Sequence, residues 1–209
     1  RASARNTALM CAAQGGQGET ARELVRGGAA LDLQDQVGWT ALMEAAANGH
    51  TEVVQELVRT GAALDVQDEY QFTALILAAF HGHTEVVREL VQAGAALDLR
   101  DKDQRTVLIV AAFQCNTEVV RELVQAGAAL DLRDKDQSTA LILAARDGAT
   151  EVVQELVRAG AALDLKDNTG LTALMQATTE RHVDIMRVLV KAKASHSRDA
   201  LIPQLATID

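Results

Sequence analysis

Aromatic side chains are almost missing from this chain. They make up 2% of its 209 residues and occur at five positions, Trp39, Tyr70, Phe72, Phe80 and Phe113. That scarcity disfavours a sandwich or barrel packed with large rings, and the abundance of Ala, Leu and Val suits thin, closely stacked helices. Proline occurs once, at Pro203, and no Pro- or Ser-rich linker interrupts the chain, so it reads as one domain. No apolar run reaches about 18 residues, which excludes a helical membrane span. The opening "RASARNTALM" has no long apolar stretch of the signal-peptide kind. Only two cysteines are present, Cys11 and Cys115. Unpaired thiols point to a reducing, intracellular and hence cytoplasmic setting, and both are expected to be small packed residues, not nucleophiles. A basic excess is lacking too: the formal charge is −9 with pI ≈ 5.0. Such acidity keeps the chain soluble and disfavours nucleic acid as a partner.

What the chain does have is repetition. "TEVVRELVQAGAALDLRDKDQ" occupies residues 84–104 and recurs letter for letter at 117–137. Aspartates fall every 33 residues, at Asp35, Asp68, Asp101, Asp134 and Asp167. Aligned on them, the chain divides into repeats 35–67, 68–100, 101–133, 134–166 and 167–199, preceded by a partial unit over about 5–34. In the second repeat, Thr40 is placed to cap a short helix that Gly49 closes, with Leu42, Ala45 and Ala46 on one face. A second helix opens at Thr51, carries Glu52 in its first turn and stops at Gly61. Val53, Val54, Leu57 and Val58 form its apolar stripe. Helices of about ten residues are marginal alone, so stacking on neighbours must bury these stripes. The chain is therefore an all-α solenoid of helix–turn–helix units.

The 33-residue unit, the opening Asp, the stretch "GWTALMEAAANGH", the Val-Val…Leu-Val helix and the "GAALD" exit together resemble the ankyrin repeat. The resemblance spans residues 5–199 and implies a stack of helix pairs joined by turns, with 200–209 as a tail or partial cap. It also implies a concave face, built from turns and first helices, that contacts protein partners. Some positions depart from the family pattern. Met43, Ile76, Ile109 and Ile142 stand where the family has a hydrogen-bonding His, so the junctions should be more apolar. Gln71, Gln104 and Gln137 replace turn glycines, and because a side chain at positive φ is strained, the turn tip is expected to change shape there. Cys115 replaces a helix-ending Gly. Thr178, Arg181 and Lys193 make the last repeat more polar, as suits the end of a solenoid.

Between copies the second helix stays fixed while the turn and first helix vary, and every aromatic lies in the varying part. Trp39 and Phe72 take the fifth position of a unit, Tyr70 the third, and Phe80 and Phe113 the thirteenth. On the resemblance these line the concave face as binding anchors. Trp39 and Phe72 equally suit packing against the adjacent turn. His81, Gln114, Arg105 and Arg146 also differ between units and join the candidate protein-binding residues. The recurring pairs Lys102/Asp103 and Lys135/Asp136 read as a solvated rim.

Chemistry is hard to assemble. His81 and His83 in "FHGH" lack the further ligands of a metal site, and His83 falls on the register of His50. The glycines mark helix ends and form no phosphate loop, and no nucleophile–base set emerges. The expectation is a non-enzymatic protein-interaction module without cofactor or metal, part of an adaptor or scaffold. A self-associating structural spacer is the alternative, and a consensus-engineered binding scaffold would carry the same near-identical copies.

Overall fold

The computed structural model describes the backbone of residues 7–205 and the side chains of residues 7–194. Within those bounds the chain forms twelve α-helices and no strand. Six short first helices are Ala8–Gln14 (α1), Ala41–Ala47 (α3), Ala74–Phe80 (α5), Val107–Phe113 (α7), Ala140–Arg146 (α9) and Ala173–Thr179 (α11). The second helices are Gly18–Arg26 (α2), Thr51–Arg59 (α4), Thr84–Gln92 (α6), Thr117–Gln125 (α8), Thr150–Arg158 (α10) and Val183–Leu205 (α12). First helices stack on first helices and second on second, giving two layers.

Each first helix begins where a threonine hydroxyl accepts the backbone N–H three residues on, at 3.3 Å from Met43 to Thr40 and 3.2 Å from Ile76 to Thr73. Such a cap stabilises a helix by about 1 kcal/mol, a large share for seven residues. The helix ends where Gly49 turns left-handed, φ 72°, so that Gly49 N–H donates to Ala46 O and His50 N–H to Ala45 O. This pairing satisfies carbonyls that the helix leaves open.

The core is a strip of small and branched residues between the layers. Ala45, Ala46, Ala78 and Ala79 are fully buried, letting helices approach closely, and Val53, Val54 and Leu57 fill the space behind them. Met43, Ile76, Ile109 and Ile142 are 1–2% exposed, so the junctions are apolar where the family pattern would place a polar ring. Met175, on the same register in the last repeat, is 46% exposed.

Between helix pairs the chain makes a hairpin-like turn held by the recurring aspartate. Asp68 Oδ1 accepts from the N–H groups of Tyr70 and Phe72, both at 2.8 Å, and Asp68 N–H donates to Phe72 O. Successive turns also bond to each other: Glu69 N–H to Val37 O, Lys102 N–H to Tyr70 O, Lys135 N–H to Asp103 O and Asn168 N–H to Asp136 O, all near 3.0 Å. The exits are tied the same way, with Asp32, Asp65, Asp98 and Asp131 each accepting the N–H of an alanine 31 residues on. The fixed sequence of the repeat is thus largely the sequence of its inter-repeat bonds.

Two sequence expectations need correction. The turns at Gln71, Gln104 and Gln137 keep their shape: all three residues adopt φ 60–63°, the left-handed region. The Asp-centred bonds around each turn impose the conformation, and the side chain accepts the strain. Second, Cys11 and Cys115 are free and exposed, not packed. Cys11 falls on the groove-facing register of α1, and Cys115 adopts φ 55° at the end of α7, which turns its side chain outward. Partial desolvation and the nearby Asp147 carboxylate push the Cys115 thiol up, which keeps it protonated. Apart from these, α12 does not stop where the other second helices stop. Lys193 stands where Gly61, Gly94, Gly127 and Gly160 take left-handed φ, and without that glycine the helix runs on to Leu205. Residues 1–6 and 206–209, which include the start of the first repeat and the end of the tail, lie outside the described residues.

Candidate protein-binding surface

The first helices and turns form one face of the stack, and on it the structure gathers five of the nine residues singled out from sequence. Trp39, Tyr70, Phe72, Phe80 and His81 line a groove of about 430 Å³ between the second and third repeats, completed by Val37, Glu69 and Leu77. Their roles differ. Trp39 is half-buried, and its indole N–H donates to Asp68 Oδ2 at 2.9 Å. It forms a wall by bracing one turn on the next. Phe72 is also half-buried and packs on the core. Tyr70 at 54% exposure and Phe80 at 39% remain free to be covered. Phe80 meets the edge of the His81 ring at 5.1 Å, and burial together with His83 holds the His81 imidazole below its usual value, hence neutral at pH 7. Lys102 lies 5.3 Å above the Tyr70 ring.

Arg105, Phe113 and Arg146 come together separately, around a smaller recess of about 190 Å³ between the fourth and fifth repeats. Its cations are already paired. Arg105 holds Asp101 at 2.8 Å, Lys135 holds Asp103 at 2.6 Å, and Arg146 holds Asp147 at 2.8 Å. The hydrogen bond from Lys135 pulls the Asp103 carboxyl down. Phe113 is 41% exposed beside them. Gln114, the C-cap of α7, lines neither recess.

Sequence reasoning missed Glu44. It is 6% exposed, and since no buried side-chain polar atom among the described residues lacks a partner, its carboxylate still reaches solvent. Burial pushes its pKa up, and the Asp35 carboxylate adds to the shift. The signal was available: the tenth position of a unit is Glu44 in the second repeat but Leu77, Val110 and Leu143 in the next three. No group of three or more His, Cys, Asp or Glu among the described residues is placed to hold a metal, and no described helix is long and apolar enough to cross a membrane. His83 instead bonds Ala47 O through Nε2 at 3.1 Å, as His50 bonds Gln14 O, so these rings join repeats.

Paired helices stacked through polar turns, with a lined face on one side, define a solenoid repeat protein. The family model described as ankyrin repeats (3 copies) matches residues 2–68, 45–134 and 108–199, and the chain belongs to that family. It is similar to the crystal structure of an ankyrin repeat domain from Acinetobacter baumannii AYE, with 28% identity and a TM-score of 0.83. That match covers 88% of this chain and 97% of the other. A comparison with curated proteins gave no match. Ankyrin repeats are generally non-catalytic protein–protein interaction modules.

Proposed function

We propose that the chain binds a protein partner through the concave face of its turns and first helices, as the recognition part of an adaptor or scaffold. The observation that carries this is the aromatic groove between the second and third repeats, where Tyr70 and Phe80 are partly exposed in a chain that has only five aromatic residues. Exposed aromatics on a rigid wall are suited to anchoring a partner because little ordering is lost on binding. The test compares the wild type, a Tyr70→Ser/Phe80→Ser variant and a Gln92→Ala variant on the opposite layer, each checked for fold by circular dichroism. Capture of a partner by the first and third but not the second supports the groove. Equal capture by all three removes it.

A second reading, end-to-end stacking of copies, draws on Met175, whose counterparts in repeats two to five are all covered by a following unit. Sedimentation over a concentration series separates the two: a constant monomer mass rules out stacking.

A further inference from the structure

The outer faces of the first and sixth repeats carry the two halves of a junction. On the sixth, Met175 and Val190 are exposed and Leu174 and Met186 half-buried, whereas Leu141, Ile142 and Val153, on the same registers one repeat earlier, are buried against the unit that follows. Leu174, Met175 and Leu189 line a recess of about 270 Å³ at this end. On the first, Ala8, Cys11 and Thr20 are exposed and Leu24 half-buried, whereas Ala41, Glu44, Val53 and Leu57 are buried against the unit that precedes them.

The halves match in charge as well as in shape. Inside the stack a second-helix side chain reaches a glutamate 34 positions on: Arg22 to Glu56 at 3.5 Å, Gln55 to Glu89 at 2.7 Å, Arg88 to Glu122 at 2.7 Å and Arg121 to Glu155 at 3.4 Å. The fifth junction, Gln154 with Val188, lacks the carboxylate. The series of donors ends on Arg187, and the series of acceptors begins with Glu23. Arg187 is held by Asp184, three residues earlier, at 3.0 Å, as Arg88 and Arg121 are held by Glu85 and Glu118. Glu23 is exposed and makes no ion pair among the described residues.

We infer that the partner of these end faces is a second copy of this chain, stacked head to tail so that Arg187 of one copy bonds Glu23 of the next, whose first repeat covers Met175 and Val190. This deepens the stacking reading above and rests on it, and it is independent of the aromatic groove. Burial of the apolar end supplies most of the attraction, while the solvent-exposed ion pair chiefly selects which faces meet. Donor and acceptor lie at opposite ends, so the contact is heterologous, does not close on itself and lets copies add beyond two. One position resists it. Arg181 adopts φ 62° where Gly16, Gly49, Gly82 and Gly148 stand at other junctions, and head to tail it faces Gln17, on the register of His50. A Cβ on Gly49 would crowd His83 at 2.7 Å, so Arg181 weakens the contact and keeps it dependent on concentration.

The experiment sediments the full chain over a concentration series beside Glu23→Arg, Arg187→Glu, the double variant, Val190→Glu and Arg181→Gly, each checked for helicity. The expected result is a mass that rises past that of a dimer. Either single charge reversal should weaken association about fivefold or more, the double variant should recover it, Val190→Glu should abolish it and Arg181→Gly should tighten it. A constant monomer mass in the wild type overturns both this inference and the stacking reading. Association that stops at the dimer, or that Glu23→Arg leaves unchanged, overturns the head-to-tail register and leaves self-association standing. A double variant no better than the single ones, or Arg181→Gly no tighter than the wild type, overturns that register as well.

Discussion

Gln71 holds φ 63° in a turn where the corresponding residues of repeats two and six, Gly38 and Gly170, need no side chain to be strained. A left-handed non-glycine residue costs about 1–2 kcal/mol, while glycine gives back about 0.5–1 kcal/mol in unfolded-chain entropy. Gln71→Gly is accordingly expected to stabilise the protein by about 0.5–1 kcal/mol, read from denaturant midpoints with an unchanged slope. A loss of stability would show that the turn does not impose this conformation. Glu44 makes the opposite kind of demand. Its folded pKa is raised, so the fold disfavours its ionised form, and the penalty is fully present above the folded value. That penalty disappears once pH falls below the unfolded value of about 4.3. Glu44→Gln should thus raise the urea midpoint at pH 7 and leave it unchanged near pH 4. An equal gain at both values would mean that charge is not the cause.

At the scale of the element, one correlation runs the length of the stack. Residues 34 apart meet across each junction: a Cβ placed on Gly49 would lie 2.7 Å from Nδ1 of His83, and one on Gly148 would lie 2.9 Å from Cε1 of His182. Glycines at the end of a first helix therefore make room for the His ring or the Asn116 amide that opens the next second helix. The junction that breaks the pattern breaks it on both sides, since Cys115 carries a side chain and faces Ala149. Ala149→His should be destabilising by about 1 kcal/mol or more through overpacking, whereas Cys115→Gly/Ala149→His should recover that loss. Additive effects in the double-mutant cycle would show that the two positions do not meet. This pairing also marks the limit of what could be read beforehand. Thr caps, helix-ending glycines and the Val-Val…Leu-Val stripe are local signals, and the helices they specify are the helices observed. Four of the five groove residues were legible because aromatics are so few, and His81 because it differs between repeats. The Cys115–Ala149 exchange and the retained turn at Gln71 were not, because each depends on a neighbour about one repeat away or on bonds imposed from outside the residue.

For the whole molecule, the same inter-repeat bonds recur at nearly every junction, so the stack has no single centre. Stability should behave as a sum over units and their shared faces. Removing residues 101–133 brings the 34-residue register of repeat three onto repeat five, where Gly82 would face Ala149 without obstruction. The shortened protein is expected to fold with unchanged helicity per residue and a lower denaturant midpoint, and to keep the Trp39–Phe80 groove. Collapse to an unfolded chain would show that the fourth repeat is not interchangeable.

The turn-to-turn bonds described above also decide how the molecule carries tension. Glu69 to Val37, Lys102 to Tyr70, Lys135 to Asp103 and Asn168 to Asp136 lie one after another along the stack. A pull on the two ends passes through every junction in turn, because among the described residues each helix packs chiefly on its own and the adjacent repeats. Such an object stretches as a soft spring and gives way unit by unit, re-forming each time from the stub that remains.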